Sequence, residues 1–209
     1  MLKLYIRPVC LLRPEEEVAS LSLLVESRRE KVRTIKGKEN RSRSIAAGLL
    51  LRYMLLEEQI PYAEESFGLE EHGKPRLKKD GGFFNLSHAG AYVAGVLSDV
   101  PVGVDVEQQN RFLQETRNRK LAKRILTEAE WNWWKDAGDD PQELLRFWTR
   151  KESYVKMTGE GMTKAFHTVD TLHGKYYKEI PLGTIKDRYL ISVCTQEDRT
   201  CDFVCKMLD

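Results

Sequence analysis

At 209 residues the chain suits one large globular domain or two small ones, and it can bury a real core. Apolar residues make up 41% and charged residues 32%, which excludes disorder, and a formal net charge of +2 gives no global attraction to nucleic acid. No apolar run approaches the roughly 20 residues of a membrane helix, and the start, MLKLYIRPVCLLRPEEE, lacks the pattern of a secretory signal.

Leu2, Leu4 and Ile6 alternate with Lys3, Tyr5 and Arg7, which predicts a first strand. Pro14 and the acidic Glu15–Glu17 turn open a helix with apolar spacing Val18, Leu21, Leu24/Val25, Val32, and with Arg28, Arg29, Lys31 and Arg33 late, as the helix dipole prefers. A second helix is expected from about 42 to 58, with Ile45, Leu49, Tyr53 and Leu56 on one face. A turn-rich passage, FGLEEHGKPRLKKDGG, leads into three strand-like runs, FFNLSH, AYVAGVLS and VGVDVE. Helices are expected over about 112–124, 127–136 and 142–158, then strands near 165–172, 175–180, 188–195 and 200–207. Helices and strands mix without regular βαβ alternation, so the fold class is α+β. No internal repeat is visible in the sequence.

Four cysteines, Cys10, Cys194, Cys201 and Cys205, form no C-x-x-C pair, so neither a zinc site nor a disulfide framework is indicated. Cys201 and Cys205 fall on one strand face with Phe203, which reads as apolar packing. With no export signal, reduced thiols and a cytoplasmic location are expected.

Three stretches carry chemistry. In VGVDVE, strand alternation puts Val102, Val104 and Val106 on one side and Gly103, Asp105 and Glu107 on the other. Two carboxylates two apart on a stiff element need a compensating cation if buried, and hard oxygen donors suit Mg2+ or Mn2+. A strand with one wet face and two solvated acids accounts for the same alternation. In FWTRKESYVKMTGEGM, Glu152 and Lys156 stand one helical turn apart near Trp148; they read either as a surface ion pair or as a third metal carboxylate with a phosphate-binding lysine. In HGKPRL…FFNLSHAG, Lys74 precedes Pro75, and Ser87 and His88 end a strand. Adjacent strand positions point apart, so Ser87 and His88 are no nucleophile–base pair, and loop binding of phosphate stands beside a packed histidine.

The order G-K-P, F-N-L-S-H, G-V-D-V-E, W-T-x-K-E-x-x-x-K resembles the surfactin-synthetase-activating type of phosphopantetheinyl transferase over roughly residues 28–162. That resemblance implies two similar α+β halves with pseudo-twofold symmetry and the active site in the cleft between them, the halves here being 1–107 and 108–209. It implies transfer of the phosphopantetheine group from coenzyme A to a carrier-protein serine, with release of 3′,5′-ADP. Asp105, Glu107 and Glu152 then match the metal acids. Lys156 matches the lysine on the coenzyme A pyrophosphate, and Lys74, Pro75, Ser87 and His88 match positions lining the coenzyme A site. Lys31 and Arg43 are selected from the early basic cluster, where a solvated helix face is the alternative.

Glu130, in LTEAEW, resembles a glutamate that helps deprotonate the attacking serine, yet Thr127–Glu130 also fits a helix capping box. Arg117, Arg119, Lys120, Lys123 and Arg124, with Leu113, Leu121 and Ile125 as an apolar side, offer a docking face for an acidic acyl or peptidyl carrier protein. A metal-dependent nuclease fits less well, because Glu152 and Lys156 are four apart on a helix rather than on the Glu-x-Lys strand step common to such enzymes. A non-catalytic coenzyme A module would not need the acids. The short trimeric synthases are about half this length, so a monomer is expected, with no nucleic acid or membrane partner.

Overall fold

The computed structural model describes residues 1–69, 73–78, 82–160, 165–184, 187–199 and 203–208. Two compact units are formed, residues 1–99 with 202–209, and residues 100–201. The division falls after Asp99, earlier than the expected 107/108 boundary. Strand β6 (Val102–Gln108) pairs with β8 (Arg188–Thr195), so the aspartate strand belongs to the second sheet.

In the first unit, β1 (Leu2–Pro8) is followed by helices α1 (Pro14–Ser22), α2 (Glu26–Thr34) and α3 (Lys38–Glu57). The small hairpin β2 (Phe67–Leu69) and β3 (Pro75–Leu77) and the strands β4 (Phe83–Ala89) and β5 (Tyr92–Ser98) complete it. The sheet order is β4-β5-β1-β9, where β9 (Phe203–Met207) returns to run parallel beside β1. The expected last strand thus begins at Phe203, and its residues 200–202, with Cys201, lie outside the described residues.

The single long first helix is two helices in the structure. Val25 is extended (φ −64°, ψ 154°), and α1 buries nothing, leaving Val18 69% exposed. The break lets Leu24 turn inward, where its side-chain tip lies over Gly48 of α3. The break frees Leu24 from the fixed angle to exposed Val18 that a continuous helix would impose, so tertiary burial overrides local propensity. Helix α3 is also rotated from expectation: Ile45 is buried, but Tyr53 and Leu56 are exposed, while Ala47, Leu50, Met54 and Leu55 pack with Tyr5, Val93 and Leu97.

The second unit repeats the sequence of elements. After β6 come α4 (Glu115–Ile125), α5 (Glu128–Asp136) and α6 (Pro141–Thr158), then β7 (Tyr176–Gly183) and β8. Its sheet order is β6-β8-β7, all antiparallel. In both units, therefore, a strand leads through three helices to an antiparallel hairpin whose last strand pairs with the first. Helix α4 begins after a 3-10 turn at Gln109–Phe112, and no strand forms over 165–172, where a 3-10 turn occupies Phe166–Thr168. The reason is chemical: Lys151 Nζ donates to the carbonyls of Phe166 and Val169, and the Thr171 N–H donates to Glu130. These backbone groups are satisfied by side chains instead of a neighbouring strand.

Helix α6 starts cleanly, with Asp140 capping the Gln142 N–H at 2.8 Å and Pro141 in the first turn, and ends at Gly159 in the left-handed region (φ 74°). It packs on β6 so closely that a Cβ at Gly103 would press into the Ser153 carbonyl and lie 2.5 Å from Met157 N. The corresponding close approach in the first unit is softer, since a Cβ at Gly95 would meet the Met54 sulfur at 2.5 Å and the ends of Leu86 and Leu50. Thiol packing differs from the expected pair: Cys194 is buried, whereas Cys205 is exposed on β9, and Cys10, Cys194 and Cys205 are free. Among the described residues no helix is long and apolar enough to cross a membrane.

Gly103→Ala should therefore cost about 3 kcal/mol or more, as overpacking against rigid backbone does. Gly95→Ala should cost less, because flexible side-chain ends can move aside. Urea denaturation of the two variants checks the order, and equal costs would contradict the helix–strand contact described.

Candidate active site

The face of β6 that carries Gly103, Asp105 and Glu107 is covered by α6, which overturns the reading of a wet strand face. Asp105 is 5% and Glu107 8% exposed, with the valines of the other face fully buried. Burying two carboxylates side by side costs several kcal/mol per ion unless cations or hydrogen bonds compensate. Compensation comes from two directions. Lys156, in the last turn of α6, places its ammonium 2.6 Å from Asp105 Oδ1. Arg111, just beyond β6, pairs with Glu107 Oε1, and the Trp148 indole N–H donates to the same oxygen at 3.2 Å. Glu107 Oε2 is buried with no hydrogen-bond partner.

Glu152 lies on α6 one turn before Lys156. Burial, then the charge of Asp105, push its carboxyl up to about 7, with Glu107 adding to the rise and Lys156 opposing it. Burial also raises Glu107, followed by repulsion from Asp105, and Arg111 and Trp148 oppose that shift. The three acids therefore feel one another's charge. Helix α6 is fixed beneath them by the Thr149–Ser192 hydroxyl pair at 2.8 Å, Ser192 being the β8 residue opposite Asp105.

Among the described residues no three His, Cys, Asp or Glu side chains already form a group that could hold a metal ion. The donor chemistry nonetheless fits a hard divalent cation. The donors are carboxylate oxygens, one buried oxygen of Glu107 lacks a partner, and the proximity of Asp105 and Glu107 makes negative charge on Glu152 costly. The lysine and arginine contacts would have to loosen for such an ion to enter.

Glu130 is apart from this cluster. Its side chain is fully buried, and the capping box forms as the sequence allowed: Glu130 N donates to Thr127 Oγ1 at 3.2 Å, and Thr127 N to Glu130 Oε2 at 2.9 Å. Lys151, also fully buried, lies 2.6 Å from the same oxygen, while Thr171 donates through N (2.9 Å) and Oγ1 (2.7 Å) to Oε1. A carboxylate has about four lone-pair sites, and all are taken, so the expected proton-accepting role has no geometric support.

The remaining expected residues belong to the first unit. Arg43 reaches from α3 to the β4–β5 turn, donating to Asn40 Oδ1 at 2.7 Å and to the Gly90 carbonyl at 3.4 Å, beside the strand end that carries Ser87 and His88. Ser87 is buried and His88 exposed. Lys74 is half-buried just before β3, Pro75 is exposed at its start, and Lys31 is exposed on α2. The GEGM end of the α6 motif runs into residues 161–164, outside those described.

Arg111, Trp148 as a donor, and Lys151 were not singled out by sequence reasoning. Glu107 and Arg111 are four apart, but a strand and a 3-10 turn separate them, so helical spacing gave no cue. Nothing in periodicity marks a lysine that is wholly buried.

A model of the 4′-phosphopantetheinyl transferase superfamily matches residues 101–204, which include every residue of the acid cluster. The chain is 28% identical over 156 residues to 4′-phosphopantetheinyl transferase Sfp of Bacillus subtilis, covering 73% of this chain and 67% of that protein. A second Bacillus subtilis 4′-phosphopantetheinyl transferase is 25% identical over 203 residues, covering 90% of this chain and 88% of the relative. Among solved structures, the holo-[acyl-carrier-protein] synthase of Thermotoga maritima aligns with a TM-score of 0.34 at 20% identity, over 47% of this chain and 64% of that one.

A carboxyl with a folded pKa above its unfolded value stabilises the fold while protonated. For Glu152 that contribution is complete below about 4.5 and is lost as pH rises through about 7. Without added metal, the melting temperature should fall between pH 5 and 8, and Glu152→Gln should flatten the fall. Thermal melts across that range check this, and an unchanged slope in the variant would remove the buried-acid argument.

Proposed function

Because the chain belongs to the 4′-phosphopantetheinyl transferase superfamily, we propose that it moves the 4′-phosphopantetheine group of coenzyme A onto a serine of an acyl or peptidyl carrier protein, releasing 3′,5′-ADP with Mg2+ assistance. The observation that carries the reading is the acid cluster of buried Asp105 and Glu107 and half-buried Glu152, with Lys156 seated on Asp105, inside the span of the family match.

Asp105, Glu107 and Glu152 would hold Mg2+, or Mn2+ in its place. Bound there, the ion would draw charge from the pyrophosphate of coenzyme A. Lys156 already rests on a carboxylate, and in the complex its ammonium would instead neutralise phosphate oxygens, including charge that develops on the departing 3′,5′-ADP. The serine hydroxyl attacks the phosphorus bonded to pantetheine, and the phosphate oxygen bridging to 3′,5′-ADP leaves. Glu152, beside Lys156 on α6, is the acid of the cluster that would accept the serine proton. It takes over the part expected of Glu130, whose oxygens are committed within the fold.

Coenzyme A binding would draw on Lys74, Pro75, Ser87 and His88, with Arg43 and Lys31 contributing positive charge. Arg43 at the β4–β5 turn supports that grouping, since it brings a guanidinium beside the Ser87–His88 strand end. The reading retains two pseudo-symmetric halves; the recurring order of strand, three helices and hairpin supports it. It retains a cytoplasmic monomer, with both motif groups on one chain. For the carrier protein, Arg117, Lys120, Lys123 and Arg124 are exposed on α4, and Leu113 beside them is 62% exposed. Arg119 is less suited than expected because Asp139 holds it at 2.9 Å, and Ile125 is buried in the unit's own core.

Mass spectrometry of an apo carrier protein incubated with coenzyme A, Mg2+ and this protein should show the gain of one phosphopantetheine. Chelator or Asp105→Ala should abolish the gain. Lys156→Ala should lower kcat by about 10²–10³-fold, the typical cost of removing one transition-state charge contact. Binding of coenzyme A without transfer to any of several carriers would overturn the enzymatic reading.

A further inference from the structure

The strongest feature left unused by this chemistry is the buried ion pair between Glu130 and Lys151. It is saturated on both sides. The three protons of the Lys151 ammonium face Glu130 Oε2, the Phe166 carbonyl at 3.0 Å and the Val169 carbonyl. Glu130 in turn accepts from Thr127 and twice from Thr171. The pair therefore fastens the backbone of residues 166–171 to the start of α5 and to the middle of α6, at the residue that precedes Glu152.

A physical path runs from this anchor to the acids. The ring of Phe166 meets the Trp148 indole edge-on, with centroids 5.5 Å apart and planes at 60°. That indole donates to Glu107 Oε1 at 3.2 Å. Trp148 is thus held on one side by a residue whose carbonyl is bound to Lys151, and on the other side it holds a carboxylate of the acid cluster. An ion pair placed only for stability would not need this arrangement; an apolar pair of similar volume serves as well in many cores.

We propose that Glu130 and Lys151 are a positioning pair: they anchor the 166–171 backbone and, through Phe166 against Trp148, set the Glu107 carboxylate for metal and phosphate. Neither touches the reacting atoms. The proposal rests on the acid cluster being the metal site of the reading above, and it assigns Glu130 a role that requires its charge and its lack of free acceptor sites.

The test compares the double variant Glu130→Gln/Lys151→Met, the single variant Trp148→Phe and the triple variant. Three measurements are made on each: thermal melting, Mn2+ binding followed by electron paramagnetic resonance without coenzyme A, and transfer kinetics. Glu130→Gln alone leaves a buried ammonium without its partner, so its melting temperature should drop, and the double variant should regain much of that loss. Outer-shell partners of metal ligands typically contribute about tenfold or more to affinity. The double variant and Trp148→Phe should therefore each bind Mn2+ about tenfold more weakly. The triple variant should be no worse than either, because both changes cut one path.

Wild-type Mn2+ affinity in a folded double variant would overturn the proposal. So would a triple variant whose loss is the product of the two separate losses. Loss of transfer in Glu130→Gln with melting and Mn2+ binding unchanged would make Glu130 a proton acceptor instead. Failure of the unaltered protein to bind Mn2+, or binding that survives Asp105→Ala, would remove the metal reading itself and this proposal with it.

Discussion

The contact of α6 with β6 at Gly103 governs the second unit. Only a residue without a side chain lets the helix backbone come so near the strand. That approach covers Asp105 and Glu107 and brings Glu152, Lys156 and Trp148 over them. Burial alone would drive the carboxyls toward neutrality, as the upward shifts of Glu107 and Glu152 indicate. Lys156 counters this with positive charge at Asp105, and Arg111 does so at Glu107. The result is a set of acids held close by the fold against their mutual repulsion, which is the condition a polyvalent cation relieves.

The recurrence of one plan in both units shows what a repeated fold requires and what it leaves open. Each unit has a strand, three helices and an antiparallel hairpin, with the longest helix lying against its sheet. The apolar pattern that makes this possible tolerates many sequences. Ile45, Leu50 and Met54 fill the place under α3, and Leu144, Phe147 and Val155 serve α6. Residue identity therefore carries no visible repeat, and the likeness of the two units appears only in the order of elements. The charged residues differ as well: acids gather in the second unit, while Arg43 and the Ser87–His88 turn mark the first.

Strands were legible where alternation was regular. In VGVDVE it gave the correct division of faces; only the covering helix, a long-range fact, decided which face was dry. Helix α6 was expected over about 142–158 and forms over Pro141–Thr158. The first helix was not legible, because Val18, Leu21, Leu24 and Val32 fit one helical face well enough to hide the break that Leu24 needs in order to bury. Residues 165–172 were misread for a related reason. Their backbone partners are Lys151 and Glu130, far away in sequence, and local β propensity cannot register a side chain that replaces a strand. At the candidate site the motif residues were legible by type and order, whereas Arg111 and Lys151 depend on neighbours brought together by folding.

Two lysine–carboxylate contacts of the second unit share a nitrogen–oxygen distance of 2.6 Å, and the difference between them separates structure from chemistry. Lys151 and Glu130 are wholly enclosed, and every donor and acceptor is used; moving either would strand a charge in the core. Lys156 keeps 28% of its side chain exposed, so its ammonium can move away from Asp105 with less cost. Its partner Asp105 belongs to a group of acids for which a cation is favourable. Equal distances thus conceal opposite uses. The closed pair fixes backbone, and the open pair keeps a partly exposed positive charge beside the acid cluster. Movement of Lys156 need not disturb the helix, because α6 is anchored five residues earlier, at Lys151.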